Sequence, residues 1–195
     1  MKLFKPKYTA LTDEDLMIAL SKGDKLAFNE LYHRYSRQLR GYFNNMLWRD
    51  KEKAEDFVHD LFAKIIRNPD YFDVNRSFKT WLFSVASNMC KNEYKKQEVR
   101  KNTSTGVEDY RHVSSSSNVL SEVQDNQFKE AFEETLETLD EKHREVFTLR
   151  HFDGLSMKEI AEIMGINEGT VKSRLFYATK QLAEQLKSFN PALNY

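Results

Sequence analysis

Apolar residues recur along the first hundred positions at intervals of three and four, the spacing of one face of an α-helix. Three runs follow this rule: Phe28, Leu31, Tyr32, Tyr35 and Leu39; Ala54, Phe57, Val58, Leu61, Phe62 and Ile65; and Phe78, Trp81, Leu82, Val85 and Met89. Only six glycines and three prolines occur in 195 residues, which favours long helices over a turn-rich sheet. The pattern therefore predicts an all-α fold.

Polar residues punctuate these runs where helices are expected to begin and end. Thr12, Asp24 and Asp50 are suitable N-caps, and Asn68-Pro69 should stop the helix before it. We therefore predict helices near 12–22, 24–47, 50–67 and 78–100, packed as one bundle that occupies residues 10–100.

The composition changes after residue 101. From Asn102 to Gln127 the chain is rich in Ser, Thr and Asn, with four consecutive serines from Ser114 to Ser117 and a net acidic charge. Such a segment is typical of a poorly ordered tether, so we predict a flexible linker over 101–127. Helical spacing resumes at Phe132, Leu136, Leu139, Val146 and Phe147. The prediction is two small helical modules, 10–100 and 128–189, joined by this linker.

The second module contains the pattern of a helix-turn-helix unit. Ser156 and Glu159 have the spacing of a capping box, which would open a short helix burying Met157, Ile160, Ala161 and Met164. Gly165 then suits a tight turn that needs positive φ, and Asn167 would cap the next helix. The order of capping box, turn and second helix indicates helix-turn-helix architecture.

The second helix of this unit has two different faces. Val171, Leu175, Ala178 and Leu182 would point to the core, whereas Lys172, Ser173, Phe176, Tyr177 and Lys180 would form the other face. Lys and Ser side chains donate to base edges and phosphates, and a Phe edge packs on a thymine methyl. The pattern favours a helix that enters the major groove. An ordinary solvated face and a protein-docking unit are the alternatives.

A second basic region lies between Arg76 and Lys101. Seven bases occur there against only Glu93 and Glu98, so the segment can hold phosphates without sequence preference. Asn88, Lys91, Asn92 and Lys95 recur at helical spacing. The apolar position of Trp81 favours core packing over insertion into DNA.

The overall composition narrows the class of protein. Lys+Arg and Asp+Glu balance at 30 each, so net charge is uninformative about partners. A single cysteine, Cys90, excludes an internal disulfide, and we expect a buried or indifferent thiol in a reducing compartment. No apolar run approaches the ~20 residues that span a bilayer. We therefore expect a soluble, cytoplasmic protein that needs no cofactor or metal.

Two separate stretches resemble bacterial sigma factors of the extracytoplasmic-function (ECF) group, in the sigma-70 family. The C-terminal residues are Leu139 to Phe147, Gly154-Leu155-Ser156 through Ile160-Ala161, and Gly169 to Arg174. The N-terminal residues are Asp15-Leu16, Gly23-Asp24, Ala27-Phe28 and Leu31-Tyr32, then Ala54 to Phe62, and Phe78 to Leu82 with Asn88. The resemblance covers nearly all of the chain outside the termini and the linker.

This resemblance implies that different surfaces of the chain bind different partners. Core RNA polymerase, at the clamp helices of its largest subunit, would bind Asp56, His59, Asp60 and Phe62. The −10 element and the opened strand would meet Phe72, Asn75, Arg76, Lys79, Asn88, Lys91, Asn92 and Lys95, with Phe72 as a stacking surface at the rim of a base pocket. The −35 element would meet Arg150, Thr170, Lys172, Ser173, Arg174, Phe176, Tyr177 and Lys180, although Arg174 could instead form an internal ion pair. An anti-sigma factor is a further implied partner.

Two other classes of protein remain to be compared with this interpretation. An enzyme would need a site, but His59-Asp60 lacks further ligands at metal-binding spacing and no phosphate-binding glycine loop is present. The stronger alternative is a helix-turn-helix transcriptional regulator whose N-terminal bundle binds a signal or dimerises. Binding to core polymerase distinguishes a sigma factor from such a regulator.

Overall fold

The computed structural model describes residues 6–103 and 120–189, and all regular structure in these ranges is helical. The elements are α1 Pro6–Thr9, α2 Asp13–Ser21, α3 Lys25–Met46, α4 Lys51–Arg67, α5 Phe78–Thr103, α6 Leu120–Thr138, α7 Glu141–His151, α8 Met157–Met164 and α9 Glu168–Gln185. Single 3-10 turns occur at Pro69–Tyr71 and Lys187–Phe189. The predicted all-α class is confirmed.

The predicted caps fix the helix boundaries of the N-terminal module, α1–α5. The side chain of Thr12 accepts a hydrogen bond from the backbone of Asp15, and Asp24 accepts one from Leu26. Asp50 caps α4 in the same way by accepting from the backbone of Lys53. Each carboxylate or hydroxyl satisfies a backbone donor that the first helical turn leaves free, so helix starts follow from the sequence.

Aromatic rings fill much of the core of the N-terminal module. Phe78 is fully buried, and its ring lies 5.5 Å from that of Tyr35 and 5.4 Å from that of Phe72, in edge-to-face contacts. Trp81 packs on Phe72 and Phe78 at 5.2 and 5.8 Å between ring centroids. The prediction that Trp81 serves in packing is therefore confirmed.

The C-terminal module, α6–α9, has a small core of its own. Leu136 of α6 and Leu139, just after that helix, pack with Phe147 of α7 and with Ala178 and Leu182 of α9. This cluster holds α9 against α6 and α7.

The predicted linker is too long at both ends. Helix α5 continues to Thr103 and α6 already begins at Leu120, so the part of 101–127 that the structure describes is helical. Phe128, Phe132 and Leu136 recur every four residues and extend the apolar stripe upstream, which polar composition alone concealed. Residues 104–119, with the four serines, lie outside the described residues.

The two modules are also packed together rather than separated along the chain. Val146, Leu149, Leu155, Ile160 and Val171 belong to the same buried apolar cluster as the core of the N-terminal module. The sequence predicted two modules without predicting their arrangement, and in this conformation they share one apolar cluster. Helix α7 is buried on more than one side, and periodicity identifies an apolar face without identifying what covers it.

Candidate nucleic-acid and polymerase interfaces

The helix-turn-helix unit forms through the three local signals found in the sequence. Ser156 Oγ accepts from the backbone N–H of Glu159 at 3.2 Å, and Glu159 Oε2 accepts from that of Ser156 at 2.8 Å. Hydrogen bonding by Ser156 holds the pKa of the Glu159 carboxyl below its usual value. Gly165 ends α8 with φ of +67°, and Asn167 Oδ1 accepts from the backbone of Thr170 at 2.8 Å. The predicted capping box and turn are confirmed.

Helix α9 separates a packed face from an exposed one. Val171, Ala178 and Leu182 are buried and Leu175 is partly buried, whereas the opposite face is exposed at Lys172, Ser173, Phe176, Tyr177 and Lys180. Phe176 and Tyr177 are 63% and 59% exposed, and their rings meet edge to face at 5.5 Å. Two adjacent exposed aromatic rings beside lysines form a surface suited to base edges and phosphates.

The remaining residues predicted to contact the −35 element are partly engaged within the module. Arg150 is exposed, but its Nη1 donates to the backbone oxygen of Leu155 at 2.9 Å and so braces the α7–α8 connection. Thr170 Oγ1 donates to Asn167 Oδ1 at 3.0 Å. Arg174 is half-buried and forms no ion pair with another residue of the described ranges. Its alternative role as an internal ion pair is therefore not seen here.

Helix α5 carries a polar surface over its middle turns. Asn88, Asn92 and Lys95 are exposed and Lys91 is half-buried, while Met89 and Cys90 between them are buried. Burial holds the pKa of the Cys90 thiol well above its usual value, so this cysteine is a packing residue in this conformation. The polar residues form one continuous strip that can follow a nucleic-acid backbone.

The loop before α5 is ordered by its own side chains. Asn75 donates to Asp73 Oδ1 from its backbone at 3.0 Å and from its side chain at 2.9 Å, and these bonds hold the pKa of Asp73 low. Two bases of this region point to the C-terminal module. Arg76 Nη2 lies 2.5 Å from Glu162 Oε1, and Lys79 Nζ donates to the backbone oxygen of Asp153 at 3.3 Å.

Phe72 does not have the predicted position at the rim of a base pocket. It is only 5% exposed, because Phe78 and Trp81 cover its ring. The adjacent Tyr71 is 76% exposed and supplies the free aromatic surface instead. The sequence reasoning missed Tyr71, although its place in the turn after Pro69 was a signal that it would be exposed.

The predicted polymerase-binding face of α4 is exposed at three of its four residues. Asp56, His59 and Asp60 are exposed, and His59 Nε2 lies 3.6 Å from Glu55 Oε1. Phe62 is the exception, since it is 2% exposed and packs on Tyr32 and Phe28 at 4.8 and 5.8 Å between ring centroids. Its role as an apolar anchor was wrong because it lies on the inner stripe of α4.

Ile66 provides an exposed apolar group on the same helix. It is 49% exposed and lies seven residues after His59, which places it two turns along on the side of α4 that carries His59. The sequence reasoning missed it because Ile65 and Ile66 are adjacent, and only one of them fits the inner stripe.

The described residues contain neither a metal-binding cluster nor a membrane-spanning helix. No group of three or more His, Cys, Asp and Glu side chains there is arranged to hold a metal ion. Among the same residues, no helix is both long enough and apolar enough to cross a membrane.

The chain matches two family models in the order of its two modules. The model for sigma-70 region 2 matches residues 31–100, and the model for sigma-70, region 4 matches residues 129–182. These ranges contain all of α4 and most of α5 and α9.

Curated relatives match over almost their full length. The ECF RNA polymerase sigma-E factor of Haemophilus influenzae is 31% identical over 184 residues, which cover 91% of this chain and 96% of that protein. The factor of the same name from Escherichia coli K12 is 32% identical over 185 residues, covering 91% and 95%.

Solved structures share the fold. The sigma factor RpoE from Bartonella quintana, in complex with the anti-sigma factor NepR, matches with a TM-score of 0.65 and 26% identity over 82% of this chain and 96% of that one. CnrH, in complex with the cytosolic domain of CnrY, matches with a TM-score of 0.69 and 24% identity over 90% and 97%. Together with the full-length relatives, these matches show that the chain belongs to the ECF sigma factors, the non-enzymatic initiation factors that direct RNA polymerase to promoters.

Proposed function

We propose that each interface of this sigma factor is carried by one surface: α4 binds core polymerase, α9 reads the −35 element, and α5 with its preceding loop captures the opened −10 strand. The observation that carries the proposal is the exposed face of α9, where Phe176 and Tyr177 stand beside Lys172 and Ser173 in a complete helix-turn-helix unit. This is the arrangement that a major groove accepts.

Recognition of the −35 element combines contacts that position the helix on the DNA with contacts that read the base sequence. Lys172 and Lys180 neutralise phosphates, which sets the register of the helix without reading sequence. Ser173, Phe176 and Tyr177 approach base edges and thymine methyl groups, with Thr170 at the N-terminal end of the helix. Arg150 and Arg174 flank this face and are proposed as phosphate contacts.

Capture of the −10 strand requires new contacts that offset the free energy of unstacking a base. Unstacking costs a few kcal/mol, and stacking on an aromatic side chain returns roughly 1–3 kcal/mol. Tyr71 is the exposed ring next to the loop that Asn75 orders. The strand is then held by the polar strip on α5, which consists of Asn88, Lys91, Asn92 and Lys95. Its phosphates are bound by Arg76 and Lys79. Binding energy for the opened strand drives melting, so no hydrolysis is needed.

The polymerase contact is a mixed acidic and apolar surface. Asp56 and Asp60 are four residues apart and exposed on α4, so both can meet basic side chains of one partner surface. Ile66 takes the role of apolar anchor that Phe62 cannot fill. His59 lies between the acids and completes the surface.

A regulatory partner and a cellular location follow from the same assignment. The Bartonella quintana relative was solved with the anti-sigma factor NepR, which supports an anti-sigma factor as a partner of this chain. The cytoplasm, where RNA polymerase works, is the proposed location.

The test is binding to core polymerase, followed by transcription from a promoter library. We expect the wild-type chain to comigrate with core and to direct specific initiation, and Asp56→Ala with Asp60→Ala to lose comigration. Asp70→Ala, which removes an exposed acid from the turn after α4, is the matched control. A chain that bound duplex DNA alone and never joined core would be a helix-turn-helix regulator and would contradict the proposal.

A further inference from the structure

The first turn of α5, the helix that carries most of the proposed −10 surface, is held by a side chain of another helix. Glu14 of α2 accepts a hydrogen bond at Oε1 from the backbone N–H of Phe78, the first residue of α5, at 2.9 Å. Phe78 is fully buried, so its N–H needs a partner within the protein. The local hydroxyl of Ser77 accepts from Thr80 instead and leaves the N–H of Phe78 to Glu14.

The loop of residues 73–77 connects two parts of the proposed −10 surface. It lies between the turn that exposes Tyr71 and the first turn of α5. Asn75 and Arg76 belong to the loop, and Lys79 follows it directly. The hydrogen bonds from Asn75 to Asp73 order the middle of the loop. They are internal to it, so the position of the loop on the module depends on what holds its two ends.

Helix α2 contacts the chain on both sides of this loop. It packs on the 3-10 turn Pro69–Tyr71, which precedes the loop, and on α5, which follows it. The start of α2 is itself fixed to α3, because Asp13 accepts hydrogen bonds from the hydroxyl of Tyr35 and, at 2.7 Å, from Nη1 of Arg34. Two adjacent acids of α2 therefore have different partners: Asp13 joins the helix to α3, and Glu14 joins it to α5.

We propose that Glu14 is a positioning residue for −10 recognition: by holding the first turn of α5, it keeps residues 73–77 in the shape that receives an unstacked base. The inference rests on the proposed function for its assignment of the −10 surface. It goes beyond that function because Glu14 lies on α2, outside every surface proposed to bind DNA or polymerase, and acts through the backbone of Phe78.

Loss of this contact should reduce base selectivity rather than overall affinity for the strand. The charges of Lys91 and Lys95 lie several turns along α5 from Phe78, and phosphate contacts hold a strand whatever its sequence. Discrimination between bases needs groups that stand at fixed positions around one base. A loosened first turn of α5 would shift the loop relative to Tyr71 without removing any positive charge.

Four substitutions separate the hydrogen bond from the charge of the acid. Glu14→Gln keeps a side-chain oxygen at the same reach and removes the charge. Glu14→Asp keeps the charge and shortens the side chain by one methylene group, which takes the carboxylate away from Phe78, and Glu14→Ala removes both. Asp15→Ala is the matched control, because it removes an exposed acid from the same first turn of α2 and so reproduces any effect on α2 itself.

Hydrogen exchange of the Phe78 amide, detected by NMR on the full chain, tests the contact directly. We expect slow exchange in wild type, Glu14→Gln and Asp15→Ala. Exchange should be about tenfold faster or more in Glu14→Asp and Glu14→Ala, because a hydrogen bond to a buried donor is lost. Equal exchange rates in all five proteins would show that Glu14 does not hold the first turn of α5, and would overturn the inference.

Base selectivity is measured on the complex with core polymerase by fluorescence anisotropy. The probes are a labelled single strand of about 15 nucleotides that carries the −10 element of a promoter selected from the library, and the same strand with each −10 base replaced in turn. Glu14→Asp and Glu14→Ala should reduce the preference for the original base about fivefold or more at one position at least, which is the low end of what one base contact contributes. Affinity for the replaced strands should stay within about twofold of wild type. Glu14→Gln and Asp15→Ala should keep the wild-type preference.

The inference and the proposed function fail by different results. Wild-type preference in Glu14→Asp and Glu14→Ala would overturn the inference, and so would its loss in Glu14→Gln, which retains the acceptor. Circular dichroism checks folding at the assay temperature, and if Glu14→Ala does not fold, the comparison of Glu14→Asp with Glu14→Gln decides. If Tyr71→Ala and Asn75→Ala both kept the wild-type preference, or if wild type did not join core polymerase, the proposed function itself would be wrong.

Discussion

Asp153 offers the sharpest test of how the two modules are joined. Its side chain is 5% exposed in the α7–α8 connection, and its Oδ2 has no partner among the described residues. Burial raises the pKa of Asp153 from 3.8 to about 7, against smaller lowering effects of Gln38 and Lys79. The packed chain therefore holds a proton at pH 6 that the unfolded chain has released.

The sign of the pH effect follows from this difference. The folded state binds the additional proton between pH 3.8 and about 7, so the stabilisation is complete below pH 3.8 and is lost as pH rises to 7. The slope is at most about 1.4 kcal/mol per pH unit and falls to about half of that at pH 7, so the change between pH 5 and pH 7 is about 2 kcal/mol. For a chain of this size, that change corresponds to roughly 4–8 °C in melting temperature.

The perturbation is Asp153→Asn, which keeps the shape and removes the ionisation. We expect the wild-type melting temperature, measured by circular dichroism from pH 5 to pH 8.5, to fall towards pH 7 more steeply than that of the variant. The difference between the two curves should become constant above about pH 8, where Asp153 is ionised in both the folded and the unfolded chain. Asp70→Asn, at an exposed acid, is the control and should follow wild type. Parallel curves for wild type and Asp153→Asn would refute the reasoning.

Other substitutions test the packing, the turn, the thiol and the groove helix. Phe78→Ala should lower the free energy of unfolding by about 3–5 kcal/mol in urea titrations, because the fully buried ring packs on three aromatic neighbours; a loss as small as that of Tyr71→Ala would contradict this. Gly165→Ala should cost roughly 1 kcal/mol, since φ is +67° there, whereas Gly41→Ala inside α3 should be neutral or stabilising. Native Cys90 should react with a thiol reagent far more slowly than the denatured chain, and equal rates would disprove its burial. Lys172→Ala should lower the salt dependence of promoter binding by about one phosphate contact, while Lys142→Ala should leave it unchanged.

The helix-turn-helix unit was predictable because its signals are local. A capping box, a glycine in a positive-φ turn and an N-cap asparagine each act on backbone groups within three residues, so Ser156, Gly165 and Asn167 suffice to define the boundaries. The buried and exposed faces of α9 followed from the helical spacing that begins at Asn167. No distant contact was needed to place these residues.

The errors concern which partner covers a helix face. Periodicity placed Phe62 on the inner stripe of α4, although it was also assigned to the polymerase surface, and no periodic pattern decided whether Phe72 or Tyr71 would turn inward. Glu145 is a stronger case, because a buried carboxylate is rare and only donors from α3 and α5 make it acceptable. Those donors are distant in sequence, so the packing of the modules could not be read from either module alone.

Ion pairs also join the two modules. Opposite charges meet across the contact, at Arg76 with Glu162 and at Arg49 with Glu133, whose closest atoms are 2.5 and 2.6 Å apart. Such partly exposed pairs contribute at most about 1 kcal/mol each and weaken with salt. Apolar burial and the hydrogen bonds that Tyr42 and Ser87 donate to Glu145 must therefore hold the modules together.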